Sequence, residues 1–248
     1  MDNSRVHRFV ILFFILLLSC AGLRGENERT FTNQSGQTIK ASLESFDGEY
    51  VEIRRSDGRF FAIPVETLSE EDQKYINLWE IGRGVADERK FLVSIDKDYS
   101  DEAKKSYRGY IQETKKGFYE IELENKTGTL CNGLKVDWAI RLEKVGVGKS
   151  KDRKNDKWVA GKFASIDLPD DGVKLLTTDT VTLVETKLKS GFYWVEGGPE
   201  QSRDRLNGIY LAIYLDGEIV REFSSPSGLL EDGREVIKNE NSDLPALY

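Results

Sequence analysis

Residues 29–79, RTFTNQSGQTIKASLESFDGEYVEIRRSDGRFFAIPVETLSEEDQKYINLW, decide the fold of the first part of this chain. Residues 38–46, TIKASLESF, alternate apolar and polar side chains, as a strand with one buried face does. Asp47-Gly48 and Asp57-Gly58 then stand where tight turns join antiparallel strands. We therefore expect a meander of three strands.

The meander is followed by signals for its own end and for a helix. Pro64 has no backbone donor and therefore marks the end of the third strand. Ser69 precedes a run of acidic residues and is the expected N-cap of a helix. That helix brings four residues near one face, and the three large ones would cover the open end of a barrel: Asp72, Tyr75, Ile76 and Trp79.

The same segment carries a family resemblance. The run from Asp57-Gly58 through Ile63-Pro64 and Leu68-Ser69 to Asp-Gln-Lys-Tyr at 72–75 resembles the Sla homology domain. That family is named for a yeast endocytic adaptor and also occurs in exported bacterial proteins. The resemblance implies an SH3-like barrel over residues 28–80 and a general binding role, and it carries no ligand-contacting residue over to this chain.

The rest of the chain predicts strands. Residues 81–90 are polar and contain glycine, which predicts a linker. Residues 91–230 predict a β-sandwich of about eight or nine short strands without a helix, and residues 231–248 predict a polar, loosely ordered tail. The expected strands are 91–95, 106–114, 118–124, 135–142, 157–168, 177–185, 191–196 and a hairpin over 208–223. The fold class is therefore all-β.

Two phrases of this second part carry a looser resemblance. YEIELENKTG at 119–128 and GIYLAIYLDGEIVREFSSP at 208–226 resemble the immunoglobulin-like sandwiches that accompany Sla homology domains in some exported bacterial proteins. The resemblance implies an immunoglobulin-like sandwich, and such domains have no activity to transfer.

The N-terminus predicts export. An apolar block, FVILFFILLL at 9–18, follows a start that carries Arg5 and Arg8, as in a signal peptide. Leu-Leu-Ser-Cys at 17–20 resembles the bacterial lipobox, which implies a lipid anchor on Cys20 and a signal peptide over residues 1–20. The alternatives are free secretion after cleavage behind Ala21 and an uncleaved anchor. We expect a protein of the bacterial cell envelope, lipid-anchored or secreted.

Composition excludes several functions. The formal net charge is −7, and the one dense basic cluster, residues 149–157, contains two aspartates, which argues against nucleic acid as a partner. His7 is the only histidine and lies in the segment expected to be removed, which excludes histidine triads and histidine metal sites. Cys131 would have no disulfide partner once the signal is processed, and we expect it to be a small buried side chain.

The carboxylates do not form a recognisable catalytic or metal motif. Residues 96–102 offer oxygen ligands at alternate positions, but Asp101 replaces the glycine that a calcium loop needs. Glu120, Glu122 and Glu124 alternate with apolar residues, as on the solvated face of a sheet. We therefore expect no catalytic residue, no metal and no cofactor.

The aromatic residues are the remaining candidates for a binding site. Trp138 alternates with apolar residues and is expected in the core, whereas Trp158 and Trp194 are candidates for a binding surface. Tyr193 and Trp194, as neighbours on one strand, would point to opposite faces. The favoured function is a non-catalytic binding or scaffolding protein whose barrel contacts a protein or peptide. The alternatives are a carbohydrate-binding module that uses the sandwich aromatics and, third, a carboxylate-dependent hydrolase.

Overall fold

The computed structural model describes residues 28–147 and 154–242. Cys20 and the predicted signal peptide lie outside these residues. The chain divides into two compact units between Ile76 and Asn77. Antiparallel strands make up most of the described residues, which confirms the all-β class. No helix within the described ranges is both long and apolar enough to cross a membrane.

The first unit contains a four-stranded antiparallel sheet in the order β1-β2-β3-β4. Its strands are β1 (Arg29–Thr32), β2 (Thr38–Phe46), β3 (Tyr50–Arg54) and β4 (Phe60–Pro64). The two predicted Asp-Gly turns are confirmed, since Gly48 and Gly58 have φ values of 101° and 81° that favour glycine. The structure adds β1 in front of the expected meander.

The chain after β4 returns to β1 and closes the sheet into a small barrel. A 3-10 turn (Val65–Thr67) leads back to the start of the sheet. There the Ser69 N–H donates to the Thr32 carbonyl at 2.8 Å, and the Gln34 N–H donates to the Thr67 carbonyl at 2.9 Å. The barrel surrounds one apolar core, which consists of Phe31, Ala41, Val51, Ile53, Leu68 and Ile76.

Helix α1 (Glu70–Ala86) begins with the predicted cap. The Asp72 N–H donates to Ser69 Oγ at 3.2 Å, and the Ser69 hydroxyl donates back to Asp72 Oδ2 at 2.9 Å. Asp72 is buried and also accepts hydrogen bonds from the Thr32 N–H at 2.7 Å and from Arg29 Nε at 2.9 Å. The carboxylate therefore joins the start of the helix to strand β1.

The predicted linker at 81–90 is wrong over most of its length, because α1 continues to Ala86. Ile81 and Val85, four residues apart on one helix face, are buried in the core of the second unit. Gly84 allows a close approach there, since a Cβ on it would lie 2.8 Å from Thr127 Cγ2. Tertiary packing thus holds a helix that contains two glycines.

Within residues 77–147 and 154–242, the second unit forms nine strands in two antiparallel sheets. The strands are β5 (Phe91–Ser106), β6 (Tyr110–Asn125), β7 (Cys131–Val145), β8 (Lys154–Leu168), β9 (Val173–Thr177), β10 (Val181–Leu188), β11 (Gln201–Arg203), β12 (Arg205–Leu215) and β13 (Glu218–Ser225). One sheet has the order β11-β10-β6-β5 with β9 also paired to β6, and the other has the order β13-β12-β7-β8. Both sheets contribute to one buried core, so the second unit is a β-sandwich.

Trp138 lies in that core with 2% of its surface exposed, as predicted. The glutamates at 120, 122 and 124 alternate with buried apolar residues of β6, which confirms their placement on the outer face. The expected strand at 191–196 is wrong, because residues 189–200 form a loop. Gly191, Gly197 and Gly198 have positive φ values there, and Pro199 follows, which together prevent a regular strand.

The expected loose tail is also wrong for residues up to 242. They form helix α2 (Leu230–Ser242), which packs on the outer face of the sheet that contains β12. Ile237 is buried against Tyr210. Glu222 accepts hydrogen bonds from the Tyr210 hydroxyl at 2.6 Å and from both Arg234 Nε at 2.9 Å and Arg234 Nη2 at 2.6 Å.

Candidate binding surfaces

The first unit exposes two aromatic side chains on one face of its barrel. Tyr50 and Phe60 are 43% and 56% exposed, whereas Val51 and Ile53 point into the core. In the register of β3 and β4, Tyr50 lies opposite Pro64 and Phe60 lies opposite Arg54. Alternation therefore places both aromatic residues on the same outer face, which we call the barrel face (Tyr50, Glu52, Phe60 and Ala62).

Basic residues stand beside the barrel face. The turn between β3 and β4 contains Arg55 and Arg59, and both guanidinium groups approach Asp57, at 3.3 Å and 3.6 Å. Arg54 pairs with Glu44 at 2.7 Å. Because one aspartate faces two arginines, the end of the face next to Phe60 carries a positive excess.

The second unit carries a larger aromatic group at one end of its first sheet. The turn between β5 and β6 and the loop at 189–200 meet there, and the Lys189 N–H donates to the Gly109 carbonyl at 3.0 Å. The rings of Tyr107 and Tyr110 stack with centroids 4.5 Å apart, and the Tyr110 ring lies 6.0 Å from that of Trp194. We call Tyr107, Tyr110 and residues 192–195 the aromatic tip.

A glycine makes the close packing of the aromatic tip possible. A Cβ on Gly109 would lie 2.9 Å from Phe192 Cδ1, so only glycine lets the Phe192 ring rest against this turn. The Tyr107 N–H donates to the Tyr110 carbonyl at 2.8 Å and closes the turn. The two loops are therefore tied together by the backbone hydrogen bond from Lys189 to Gly109 and by ring contacts.

The outward surface of the aromatic tip is apolar. Tyr193 is 82% exposed, Val195 is 94% exposed and Phe192 is 45% exposed. Polar groups at its base are used internally: Trp194 Nε1 donates to the Pro199 carbonyl at 2.9 Å, and Lys189 Nζ donates to the Tyr107 carbonyl at 2.6 Å. The indole nitrogen and this ammonium group are thus already engaged within the tip.

The two predicted binding residues occupy different places. Trp194 lies in the aromatic tip but is partly buried, and its neighbour Tyr193 is the exposed ring. Trp158 is partly buried and packs with Ala139, Tyr210 and Ile237. The structure therefore does not bring Trp158 and Trp194 together. The exposed residues of the barrel face were not predicted, although Tyr50 and Phe60 alternate with core residues in the sequence.

A charged pocket of about 430 Å³ lies on the second unit between β5, β6, β10 and β11. Lys104 pairs with Glu113 at 2.5 Å, and Arg203 pairs with Glu185 at 3.2 Å. The hydrogen bond from Lys104 holds the pKa of Glu113 below its usual value. A glycosidase acid needs a raised pKa, which these contacts do not provide for Glu113.

Metal binding has no geometric support in the part of the chain that the structure describes. No group of three histidine, cysteine, aspartate or glutamate side chains lies close enough there to hold an ion. Cys131 is buried, as expected, and burial raises the pKa of its thiol.

Comparisons with known proteins give no functional assignment. No family model matches the chain, and a search of curated proteins found no match. Among solved structures, a target of the Northeast Structural Genomics Consortium matches with 11% identity and a TM-score of 0.26, covering 55% of this chain and 86% of that one. A protein from Akkermansia muciniphila matches with 12% identity and a TM-score of 0.17, covering 54% and 72%. Matches with TM-scores this low do not support an inference about the fold or function of this chain.

Proposed function

We propose that this chain is a non-catalytic binding or scaffolding protein of the bacterial cell envelope, whose barrel contacts a protein or peptide partner. The observation that carries this proposal is the barrel face, where Tyr50 and Phe60 are both exposed on the same side of the sheet and alternate with core residues. The proposal includes export by the signal peptide at 1–20 and a lipid anchor on Cys20. It also includes membership of the Sla homology family for residues 28–80.

The dimensions of the barrel face suit an extended peptide. Tyr50 and Phe60 belong to register pairs that are four residues apart along the strands, or about 13 Å at 3.3 Å per residue. An extended partner with apolar side chains four residues apart would contact both rings. Large aromatic residues are the usual energetic centres of such contacts. The arginines at 55 and 59 favour a partner with an acidic residue at the Phe60 end.

A selection from a random peptide library on the full chain tests this proposal. We expect selected peptides to carry two apolar residues at positions i and i+4 with an acidic residue beside one of them. Phe60→Ala should weaken their binding about 30-fold, as expected for an aromatic side chain at the centre of a contact. Tyr193→Ala is the matched control, because it removes an exposed ring from the other unit.

The result that would overturn the proposal is equally specific. If selected peptides bind Phe60→Ala and Tyr50→Ala as tightly as the unaltered chain, the barrel face is not the contact surface. A polysaccharide ligand for the sandwich, the alternative from the sequence, lacks support from Trp158 because that ring packs against other side chains.

A further inference from the structure

We propose that the aromatic tip is a membrane-interface anchor that inserts into the surface of a bilayer containing anionic phospholipid. This inference concerns the second unit and does not depend on a peptide partner for the barrel face. The observations that carry it are the exposure of Phe192, Tyr193 and Val195, the internal hydrogen bonds of Trp194 Nε1 and Lys189 Nζ, and the charge around the tip.

Strand β10 extends past the apolar core of the second unit. Leu183 is the last residue of β10 in the apolar core, and the strand continues five residues further to Leu188. At about 3.3 Å per residue, the end of β10 lies about 16 Å beyond that core residue. The loop that contains Tyr193 and Val195 begins at that end of the strand. A flat bilayer surface can therefore contact the loop without contacting the core.

The exposed side chains of the aromatic tip suit a membrane interface. Tyr193 and Val195 present almost their whole side chains to solvent, and the ring of Phe192 is nearly half exposed. Tyrosine and tryptophan are enriched at membrane interfaces, where one part of the ring meets hydrocarbon and the polar group meets water. A sugar ligand uses hydrogen-bonding groups next to the rings, and two of those groups, Trp194 Nε1 and Lys189 Nζ, already donate to backbone carbonyls. The tip therefore fits an apolar layer better than a polysaccharide.

The segments around the aromatic tip carry a local positive charge. The segments 105–110 and 187–200 contain four cationic residues and two glutamates, although the whole chain has a net charge of −7. Lys105, Arg108 and Lys187 are exposed at this end of the sheet. Local positive charge beside an apolar tip is complementary to a surface with anionic lipid headgroups.

Hydrogen bonds hold the two loops of the aromatic tip in place. The Lys189 N–H donates to the Gly109 carbonyl and Lys189 Nζ donates to the Tyr107 carbonyl, which joins the loops, and the Tyr107 N–H donates to the Tyr110 carbonyl, which closes the turn. The tip is therefore organised before contact, and insertion does not require that it first be ordered.

Sedimentation with lipid vesicles tests the inference. The chain from residue 20 onward is used with Cys20→Ser, so that no acyl group contributes to binding. We expect it to sediment with vesicles of three parts phosphatidylcholine to one part phosphatidylglycerol. Tyr193→Ser should lower the partition coefficient about tenfold, and a double variant with Phe192→Ser should lower it further. Phe60→Ala, which removes a ring that is 56% exposed from the barrel face, should leave the partition coefficient unchanged.

A second arm tests the charge. Lys105→Gln combined with Lys187→Gln should lower binding to the mixed vesicles several-fold and leave binding to pure phosphatidylcholine vesicles unchanged. Circular dichroism of each variant shows whether the fold is retained, and Tyr193→Phe, which keeps the ring, should bind as the parent does.

Three outcomes would overturn the inference. The first is absence of sedimentation with either vesicle composition. The second is vesicle binding that Tyr193→Ser and the double variant leave unchanged. The third is retention on an insoluble envelope polysaccharide that depends on Tyr193 while vesicles are not bound. None of these outcomes affects the peptide selection with Phe60→Ala, so the failure of one proposal can be distinguished from the failure of the other.

Discussion

Asp72→Asn should destabilise the barrel strongly, because this one carboxylate joins strand β1 to helix α1. Its oxygens accept hydrogen bonds from the Thr32 N–H at 2.7 Å, the Ser69 hydroxyl at 2.9 Å and Arg29 Nε at 2.9 Å. The asparagine amide keeps one acceptor oxygen, but it places a donor where the second oxygen stood and removes the negative charge. At least one of the three donors then faces an NH₂ group.

The magnitude follows from burial. Hydrogen bonds to a charged group contribute about 1.5–3 kcal/mol each, and a buried donor that loses its acceptor costs about 1–3 kcal/mol. Asp72 is 2% exposed, whereas the side chain of Arg29 is 30% exposed and can be partly hydrated. We therefore expect Asp72→Asn to lower the free energy of unfolding of the barrel by about 3 kcal/mol.

Glu71→Gln is the matched control. Glu71 pairs with the same Arg29 at 3.0 Å, but its side chain is 85% exposed, so its loss should leave stability unchanged within error. Denaturant unfolding of the full chain compares the stability of the two variants. Amide hydrogen exchange, measured separately, reports on the Thr32 N–H. The Thr32 amide should exchange faster in Asp72→Asn than in Glu71→Gln. Equal unfolding midpoints and equal Thr32 exchange in the two variants would refute the role assigned to Asp72.

The same carboxylate predicts a pH dependence. Burial alone would raise the pKa of Asp72, but the hydrogen bonds from Thr32, Ser69 and Arg29 outweigh burial and hold the pKa below its usual 3.8. The unfolded chain therefore binds a proton more readily than the folded chain. The stabilisation is complete above the unfolded pKa and is lost as pH falls through the folded pKa. The stability difference between the parent and Asp72→Asn should shrink below about pH 4.

Three further predictions concern the second unit. Gly233→Ala should lower the free energy of unfolding by about 1–2 kcal/mol, because the new Cβ would overlap Tyr210. Gly228→Ala, with open space around it, should be neutral. Equal melting temperatures of the two variants would contradict this prediction. Burial raises the pKa of Tyr119 to about 12, so ultraviolet titration should lose a late-ionising tyrosine in Tyr119→Phe. The peptide that contains Cys131 should escape alkylation by iodoacetamide in the native protein and react after unfolding, and rapid native labelling would show that the thiol is accessible.

Local chemistry explains what could be predicted from the sequence. The Asp-Gly turns, the cap at Ser69 and the alternation around Trp138 each depend on neighbouring residues along the chain, and the structure contains all three. Each is a short-range rule of backbone geometry or side-chain direction. Such rules hold without knowledge of the tertiary fold.

The errors arose where contacts that are distant in sequence outweigh local preference. Gly82 lowers the helix propensity of residues 81–86, but packing of Ile81 and Val85 in the second unit holds the helix. Residues 230–242 contain few apolar side chains, and the sequence therefore predicted a loose tail. Ile237 and its neighbours nevertheless pack on an outer sheet face. The sequence alone does not show that this face would be exposed without the helix. At 191–196 we predicted a strand, but the flanking glycines, Gly191, Gly197 and Gly198, have positive φ values and the segment is a loop.

The two apolar anchors in the second half of helix α1 determine where the sandwich can be cut. The linker predicted at 81–90 would suggest a fragment that begins at Phe91. That fragment lacks Ile81 and Val85 and therefore has a gap in its apolar core. We expect such a fragment to be insoluble or loosely folded, and one that begins at Asn77 or earlier to be well folded. Limited proteolysis should likewise spare residues 77–86 while the sandwich is intact, so the smallest autonomous piece of the second unit includes a stretch that looks like a spacer in the sequence.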